Sequence, residues 1–300
     1  MLSEEELACA ADLIRQGGLV AFPTETVYGL GANALDAHAI QRIYEAKGRP
    51  SWSPLIVHVA DIAMAKSISR EWPQVASVLV ARFWPGPLTL VLKKSAAIPG
   101  VVTAGLDSVG IRIPAHPVAL QLIRQAGVPV AAPSANRFGQ ISPTTAEHVR
   151  ATLGDRASMI LDAGPTQVGI ESTVASLTRE PPAVLRPGMI TRAELEAASG
   201  VAWVDRTGSD DVSESPGLHP RHYAPRTPFY VLDSGKSHPA GNGKVIEMPT
   251  DPRAYAQALY AQLHRADTEN WEWIAVEKPP ETSEWAGILD RLRRATTRNE

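Results

Sequence analysis

Phe22-Pro23-Thr24-Glu25-Thr26-Val27-Tyr28-Gly29-Leu30-Gly31 is the stretch on which the reading of this chain turns. Leu19 to Phe22 is a short apolar run suited to a buried strand, and the polar, glycine-bearing segment behind it leads to a helix opened by Asp36. Hydroxyls and backbone N–H groups at the carboxyl end of a strand are where open α/β sheets bind ligands. The same glycines also suit a plain structural turn at positive φ. Upstream, Ser3 and Glu6 have capping-box spacing, Leu7, Ala10, Ala11 and Ile14 follow at helical period, and Gly17-Gly18 ends that helix. Downstream, strands are expected at 54–59, 88–93, 108–113, 128–132, 159–161, 172–177 and 183–185. Helices are expected at 36–48, 74–83, 118–125 and 144–153, with another capped by Thr191 and Glu194.

Strand–helix alternation up to about residue 200 predicts a layered α/β domain, and its many short strands and Pro-Gly turns point to a mixed sheet. Residues 201–227 change character, with Gly208-Ser209-Asp210-Asp211, Pro216, Pro220 and Pro225, and Pro228 just beyond, marking a linker. Residues 228–300 then predict a small α/β module, with strands near 229–232, 244–247 and 273–276 and helices near 254–263 and 284–294. The expected division is therefore 1–200, 201–227 and 228–300.

Three hundred residues suit two domains. The chain is 44% hydrophobic and 20% charged, an ordinary globular balance that argues against wholesale disorder. A net charge of −3 supplies no global field toward nucleic acid or membrane, so any anion site must be local. Cys9 is the one cysteine, which rules out disulfides within the chain and thiolate metal clusters. The N-terminal Met1-Leu2-Ser3-Glu4-Glu5-Glu6 is acidic, unlike a signal peptide, and no apolar run reaches the roughly 20 residues of a membrane span. A soluble, cytoplasmic protein is expected.

Several basic and hydroxyl residues fall at successive strand ends. Lys47 and Arg49, two apart with Ser53 close behind, suit a polyanion or the neutralisation of a helix C-terminus. Arg112 stands inside an apolar strand, where arginine is seldom buried without an anionic partner. Ser134, Asn136 and Ser142 lie at another strand end, with Ser142 also placed to cap a helix, and Glu171-Ser172-Thr173 and Arg186-Pro187-Gly188 repeat the pattern. No phosphate-binding P-loop, HExxH zinc motif or GxSxG nucleophile elbow is present. His219 and His222 read as linker detail rather than metal ligands, and Arg291, Arg294 and Arg298 as a solvated helix face that could also touch RNA.

Taken together, FPTETVYGLGANA (22–34), KGR with PLIVHV (47–59), FWPGPLTLVL (83–92), TAGLDSVGIRIPAHP (103–117), AAPSAN (131–136), SPTTAEHV (142–149), GIESTV (169–174) and LRPG (185–188) resemble the YrdC-type threonylcarbamoyl-AMP synthase family. The match runs unbroken from about residue 7 to 200, and SPG…RHYAP at 215–225 resembles the linker of the longer two-domain members. The resemblance implies a YrdC-like twisted mixed sheet flanked by helices, then a linker and a small C-terminal Rossmann-like α/β domain. It implies a nucleotidyltransferase that joins L-threonine, bicarbonate and ATP into threonylcarbamoyl-adenylate and pyrophosphate, for the modification of tRNA adenosine next to the anticodon. Mg²⁺ would accompany ATP, held by phosphate and water. The product would pass to a downstream tRNA threonylcarbamoyl transferase machinery, with no tRNA contact needed for this step.

By the same resemblance Thr26, His58, Arg112, Ala132 and Ser172 hold threonine. Lys47, Arg49, Ser53, Ser108, Ser134, Asn136, Ser142 and Arg186 surround the nucleotide, and the linker brings Arg221, His222 and Tyr223 near the phosphates. Lys47, Arg49 and Arg112 are the expected electrostatic catalysts, and His58 is the one nearby candidate base. The chain departs from the family at Ser53, usually asparagine, and at Leu218-His219-Pro220 in the linker. Two other classes compete: an RNA binder using the same basic cleft, and a carbamoyl-transfer enzyme, for which 300 residues leave no room for the extra domains.

Overall fold

The computed structural model describes residues 2–206, 215–216, 222–233 and 239–297. Its first strand, β1 (Val20–Pro23), is buried at every position, as its apolar run predicts. The chain does not then wander toward a helix. It turns at once into β2 (Tyr28–Asn33), antiparallel to β1 with Val20 opposite Gly31 and Pro23 opposite Tyr28. The expected polar, glycine-bearing segment thus begins as a tight hairpin over Thr24–Val27, closed by the Thr24 N–H donating to the Val27 carbonyl at 3.3 Å. Its glycines serve packing rather than turning. A Cβ on Gly31 would come within 2.6 Å of the Phe22 ring and 2.8 Å of Val130.

Helix α1 (Glu4–Arg15) carries the Ser3/Glu6 capping box and buries Leu7, Ala10, Ala11 and Ile14. Helix α2 (Ala37–Lys47) is capped by the Asp36 side chain and stopped by Gly48 at φ 60°. The first domain continues with β3 (Ile56–His58), α3 (Ile62–Ser67), α4 (Gln74–Phe83), β4 (Leu88–Lys93) and β5 (Ser108–Arg112). It is completed by α5 (Pro117–Ala126), β6 (Val130–Ala131), α6 (Ala146–Leu153), β7 (Met159–Ile160), β8 (Thr173–Ser176), β9 (Ala183–Arg186), α7 (Arg192–Ser199) and β10 (Val204–Asp205).

Ten strands form one twisted mixed sheet in the order β10-β9-β8-β4-β5-β3-β6-β2-β1-β7. Its pairs β3/β5, β4/β8, β1/β7 and β9/β10 are parallel and the rest antiparallel. A large core of Leu30, Ile40, Ile43, Val57, Leu79, Leu90 and Ile111 packs on one side. A second core centred on α1 and α5 (Leu7, Ile14, Phe22, Leu122, Ile123) packs elsewhere on the sheet. The sheet therefore brings residues far apart in the chain into one row: His58 of β3 lies beside Arg112 of β5, and Leu88 of β4 beside Thr173 of β8.

The second unit holds β11 (Phe229–Leu232), β12 (Gly243–Val245), α8 (Pro252–Ala266), β13 (Trp273–Glu277) and α9 (Ala286–Ala295). Its three strands are all parallel, in the order β11-β13-β12. Its core is not private. Tyr255, Leu259, Ile274, Val276 and Ile288 pack in one cluster with Val27, Ile141 and Ile170 of the first unit. The helices reach that close because glycines face them. A Cβ on Gly169 (φ 83°) would fall 2.3 Å from the Ala256 carbonyl of α8, and one on Gly287 of α9 2.7 Å from the Gly188 carbonyl.

Candidate functional site

The hairpin tip, the ends of β3 and β5, and the 132–134 and 171–172 segments enclose a polar cavity that the linker residues Pro216, His222 and Tyr223 also line. Counting its open mouth it encloses about 550 Å³. Three arginines line it: Arg49, Arg112 and Arg186.

Arg112 is held by the hairpin. Its Nη2 lies 2.6 Å from Glu25 Oε1, its Nη1 donates to Thr26 Oγ1 at 3.0 Å and its Nε to the Gly86 carbonyl at 3.1 Å. Thr26 in turn shares a hydroxyl contact of 2.8 Å with Thr24, whose Oγ1 donates to the Val27 carbonyl. His58 stands edge-on to Phe22, and burial, helped by the charge of Arg112, pushes its pKa down to about 3. It is therefore a neutral imidazole at physiological pH, able to hold a ligand but a feeble general base.

The other two arginines are differently placed. Arg49 Nη2 donates to Ser53 Oγ at 2.5 Å and to the Pro54 carbonyl at 3.0 Å. Arg186 donates from Nε and Nη2 to the Ser172 carbonyl, from Nη2 to Ser172 Oγ at 3.2 Å, and from Nη1 to the Pro216 carbonyl at 3.0 Å. Among the described residues neither meets a carboxylate within ion-pair distance. Burial pushes the Arg49 pKa down to about 10 and that of Arg186 below its ordinary value, against the opposing pull of Tyr223 on both and of Glu171 on Arg186. The surroundings of His222 tell the same story. Burial, then the charges of Arg49, Lys47, Arg186 and Arg291, hold it well below the usual histidine range.

Thr26, Arg49, His58, Arg112, Ala132, Ser134, Ser172, Arg186, His222 and Tyr223 all line the cavity. The remaining expected residues stand behind its wall. Lys47 is buried, and its Nζ donates to the carbonyls of Ser134 (2.5 Å) and Asn136. Burial and the neighbouring Arg49 lower its pKa well below the ordinary lysine value. Asn136 ties its own loop through Nδ2 to the Arg137 and Gln140 carbonyls at 2.8 and 2.9 Å. Ser53 accepts from Arg49, as above. Ser142 donates to Glu171 at 2.5 Å and does not cap α6, a role taken by Thr145. Ser108, at the start of β5, lines an adjoining crevice with Pro216. Arg221, His219 and Arg298 lie outside the described residues.

Sequence reading missed two acids and the contribution of α9. Glu171 lines the cavity and Glu25 stands behind Arg112 at the hairpin tip, each paired with an arginine. Arg291 and Arg294 are not a solvated face: both are buried, Arg291 completely, around Asp290 and Glu171. A helical wheel with three basic residues looks like surface; nothing local signals that its counter-charge sits in the other domain. Among the described residues no three His, Cys, Asp or Glu side chains cluster as metal ligands. No helix among them is long and apolar enough to cross a membrane.

Residues 12–188 match the Sua5_yciO_yrdC family, described as telomere recombination, and residues 190–297 match the threonylcarbamoyl-AMP synthase C-terminal domain. The threonylcarbamoyl-AMP synthase of Bacillus subtilis is 42% identical, over 98% of this chain and 93% of its own. That of Pyrococcus abyssi is 48% identical, over 98% of this chain and 95% of its own. The crystal structure of P. abyssi Sua5 complexed with L-threonine superposes with a TM-score of 0.91 at 39% identity, covering 99% of this chain and 95% of that one. Escherichia coli YciO, at 23% identity and a TM-score of 0.55 over 63% of this chain, shares the fold of the first unit.

Proposed function

Because the chain belongs to the Sua5/YciO/YrdC family with the C-terminal domain of the threonylcarbamoyl-AMP synthases, and is an enzyme of that activity, we propose that this cavity is where L-threonine, bicarbonate and ATP are joined. The observation that carries the assignment is a pair of buried guanidiniums, Arg49 and Arg186, whose hydrogen-bond partners among the described residues are neutral oxygens. A buried cation without a counter-ion is costly, and a triphosphate supplies one.

Threonine takes the end built by Thr26, His58, Arg112, Ala132 and Ser172. Arg112 is already aimed by Glu25, which leaves its position fixed before substrate arrives. The nucleotide takes the end under the linker, against Arg49, Ser134, Arg186, His222 and Tyr223. Lys47, Ser53, Ser108, Asn136 and Ser142 support that wall from behind, and Arg221 belongs to the same group by its place in the linker. The division into 1–200, 201–227 and 228–300 is part of this reading: catalytic domain, covering linker and supporting domain.

The threonine amine takes up bicarbonate-derived CO₂ as a carbamate with loss of water. A carbamate oxygen then bonds to the α-phosphorus as the bond to the bridging oxygen breaks, and pyrophosphate leaves with that oxygen. The reactants are all anionic, so positioning and charge stabilisation by Arg49, Arg112 and Arg186, with Lys47 behind them, supply the catalysis. ATP enters as its magnesium complex. Glu171 of the cavity and Glu25 behind it are both engaged by arginines, and among the described residues no acidic cluster stands by, so the ion rides on phosphate and water as part of the substrate. A cytoplasmic enzyme handing its adenylate to a tRNA-modifying transferase follows from the same chemistry.

Pyrophosphate release from ATP with bicarbonate, assayed with threonine present, omitted or replaced by serine, tests the assignment. Release that needs both bicarbonate and threonine, with threonylcarbamoyl-adenylate seen by mass spectrometry, is expected. Release indifferent to threonine would overturn it.

A further inference from the structure

Glu171 is a carboxylate on the wall of a cavity whose ligand is a polyanion, and it lies next to the serine that Arg186 grips. Left to itself it would swing toward Arg186 and neutralise the charge that phosphate needs. Three side chains prevent this. Ser142 donates to Oε1 at 2.5 Å; Tyr260 donates to Oε2 at 3.0 Å and Arg291 Nε at 2.8 Å. Arg291 also donates from Nη2 to the Glu171 carbonyl at 3.1 Å and from Nη1 to the Pro187 carbonyl at 2.8 Å. Tyr260 and Arg291 come from α8 and α9, in the second domain. The linker covers them: Tyr223 lies over the Arg291 guanidinium at 5.3 Å and stacks on Tyr260 at 5.8 Å. The neighbouring His222 N–H donates to the Arg294 carbonyl of α9 at 3.1 Å. Burial raises the Glu171 pKa, yet the charges of Arg291 and Arg186 and the Ser142 hydrogen bond together hold it below its ordinary value, so the group is a carboxylate.

Resting on the nucleotide reading above, we propose that Arg291 and Tyr260 are positioning residues for ATP: they hold the Glu171 carboxylate at the domain seam, leaving Arg186 available to phosphate. The C-terminal domain then acts on the reaction without touching substrate, by drawing a negative charge off the nucleotide wall.

The test is the Michaelis constant for ATP, measured apart from kcat and from the threonine constant in the full-length chain. Arg291→Met should raise KM for ATP about tenfold or more, with a smaller effect on threonine. Adding Glu171→Gln should restore most of the loss, because the unheld charge is then gone. The rescue is read as KM for ATP on variants shown by melting to be fully folded at the assay temperature, because Glu171→Gln would also relieve any stability lost by leaving that buried carboxylate unpaired. A folded Arg291→Met enzyme with wild-type KM for ATP, or a double variant no better than the single one, would overturn the proposal. Should Arg291→Met not fold, Tyr260→Phe removes one hydrogen bond to Glu171 and decides: a few-fold rise in KM supports the proposal, and no rise sinks it. Failure of the nucleotide reading itself would show separately, as absence of threonine-dependent pyrophosphate release by the unaltered enzyme.

Discussion

An arginine inside an apolar strand calls for a counter-charge, and Arg112 finds it in Glu25 across the hairpin tip. That arginine was legible because its strand is a run of small and apolar residues. Glu25 was not, because an acid among threonines in a tight turn looks like any solvated turn residue. Glu171 and Arg291 were hidden for a different reason, since they pair with each other across two domains. Arg112→Ala should therefore do two things. Threonine-dependent pyrophosphate release should be lost, and stability should fall by about 3–5 kcal/mol, because a buried carboxylate is left unpaired. Adding Glu25→Gln should recover much of the stability in urea melts without recovering turnover. Recovery of both would remove Arg112 from the threonine site.

Elements whose own residues decide them were legible: α1 from its capping box, α2 from Asp36 and Gly48, α4 and β4 from their apolar periods. The strand β2 was not, since Gly29 and Gly31 carry no propensity for a strand and sit there only because Phe22, Ala132 and Val130 press on them. Helix α3 escaped too, being six residues long and signalled mainly by its Asp61 cap. Between elements a further feature appears: His148 of α6 and His264 of α8 stack at 3.8 Å across the domain seam, and His264 Nε2 lies 3.1 Å from the Ser142 carbonyl. Burial, then the charge of His148, pushes the His264 pKa down to about 4, and burial lowers that of His148. Glu147 and Asp267 pull the other way but do not prevail. Folded histidines below their unfolded pKa give stability that is complete above about pH 6.5 and is lost as pH falls toward 4. Acidification over that window should lower stability by up to about 3 kcal/mol for His264, read as a falling melting temperature. His264→Gln should flatten the decline; an unchanged pH profile would deny the stack any part in it.

At the scale of the molecule the two units share an apolar cluster, so the small C-terminal α/β module is not a separate body. Val27, Ile141 and Ile170 are buried against Tyr255, Leu259 and Ile288. Ending the chain after Arg206 would expose them, at about 1.5–3 kcal/mol each. The shortened chain should melt about ten degrees lower or more and aggregate on heating. A midpoint equal to that of the full chain would show the first unit to be self-sufficient. One covalent connection runs from Arg206 to His222, and it decides how the second unit meets Glu171. Tethered partners meet at an effective concentration of the order of millimolar. Supplied as two separate chains, the same surfaces would have to find each other by diffusion, and the share of first units carrying Arg291 would fall as the chains were diluted. Fusion of the two units thus makes completeness of the nucleotide wall independent of how much enzyme a cell contains.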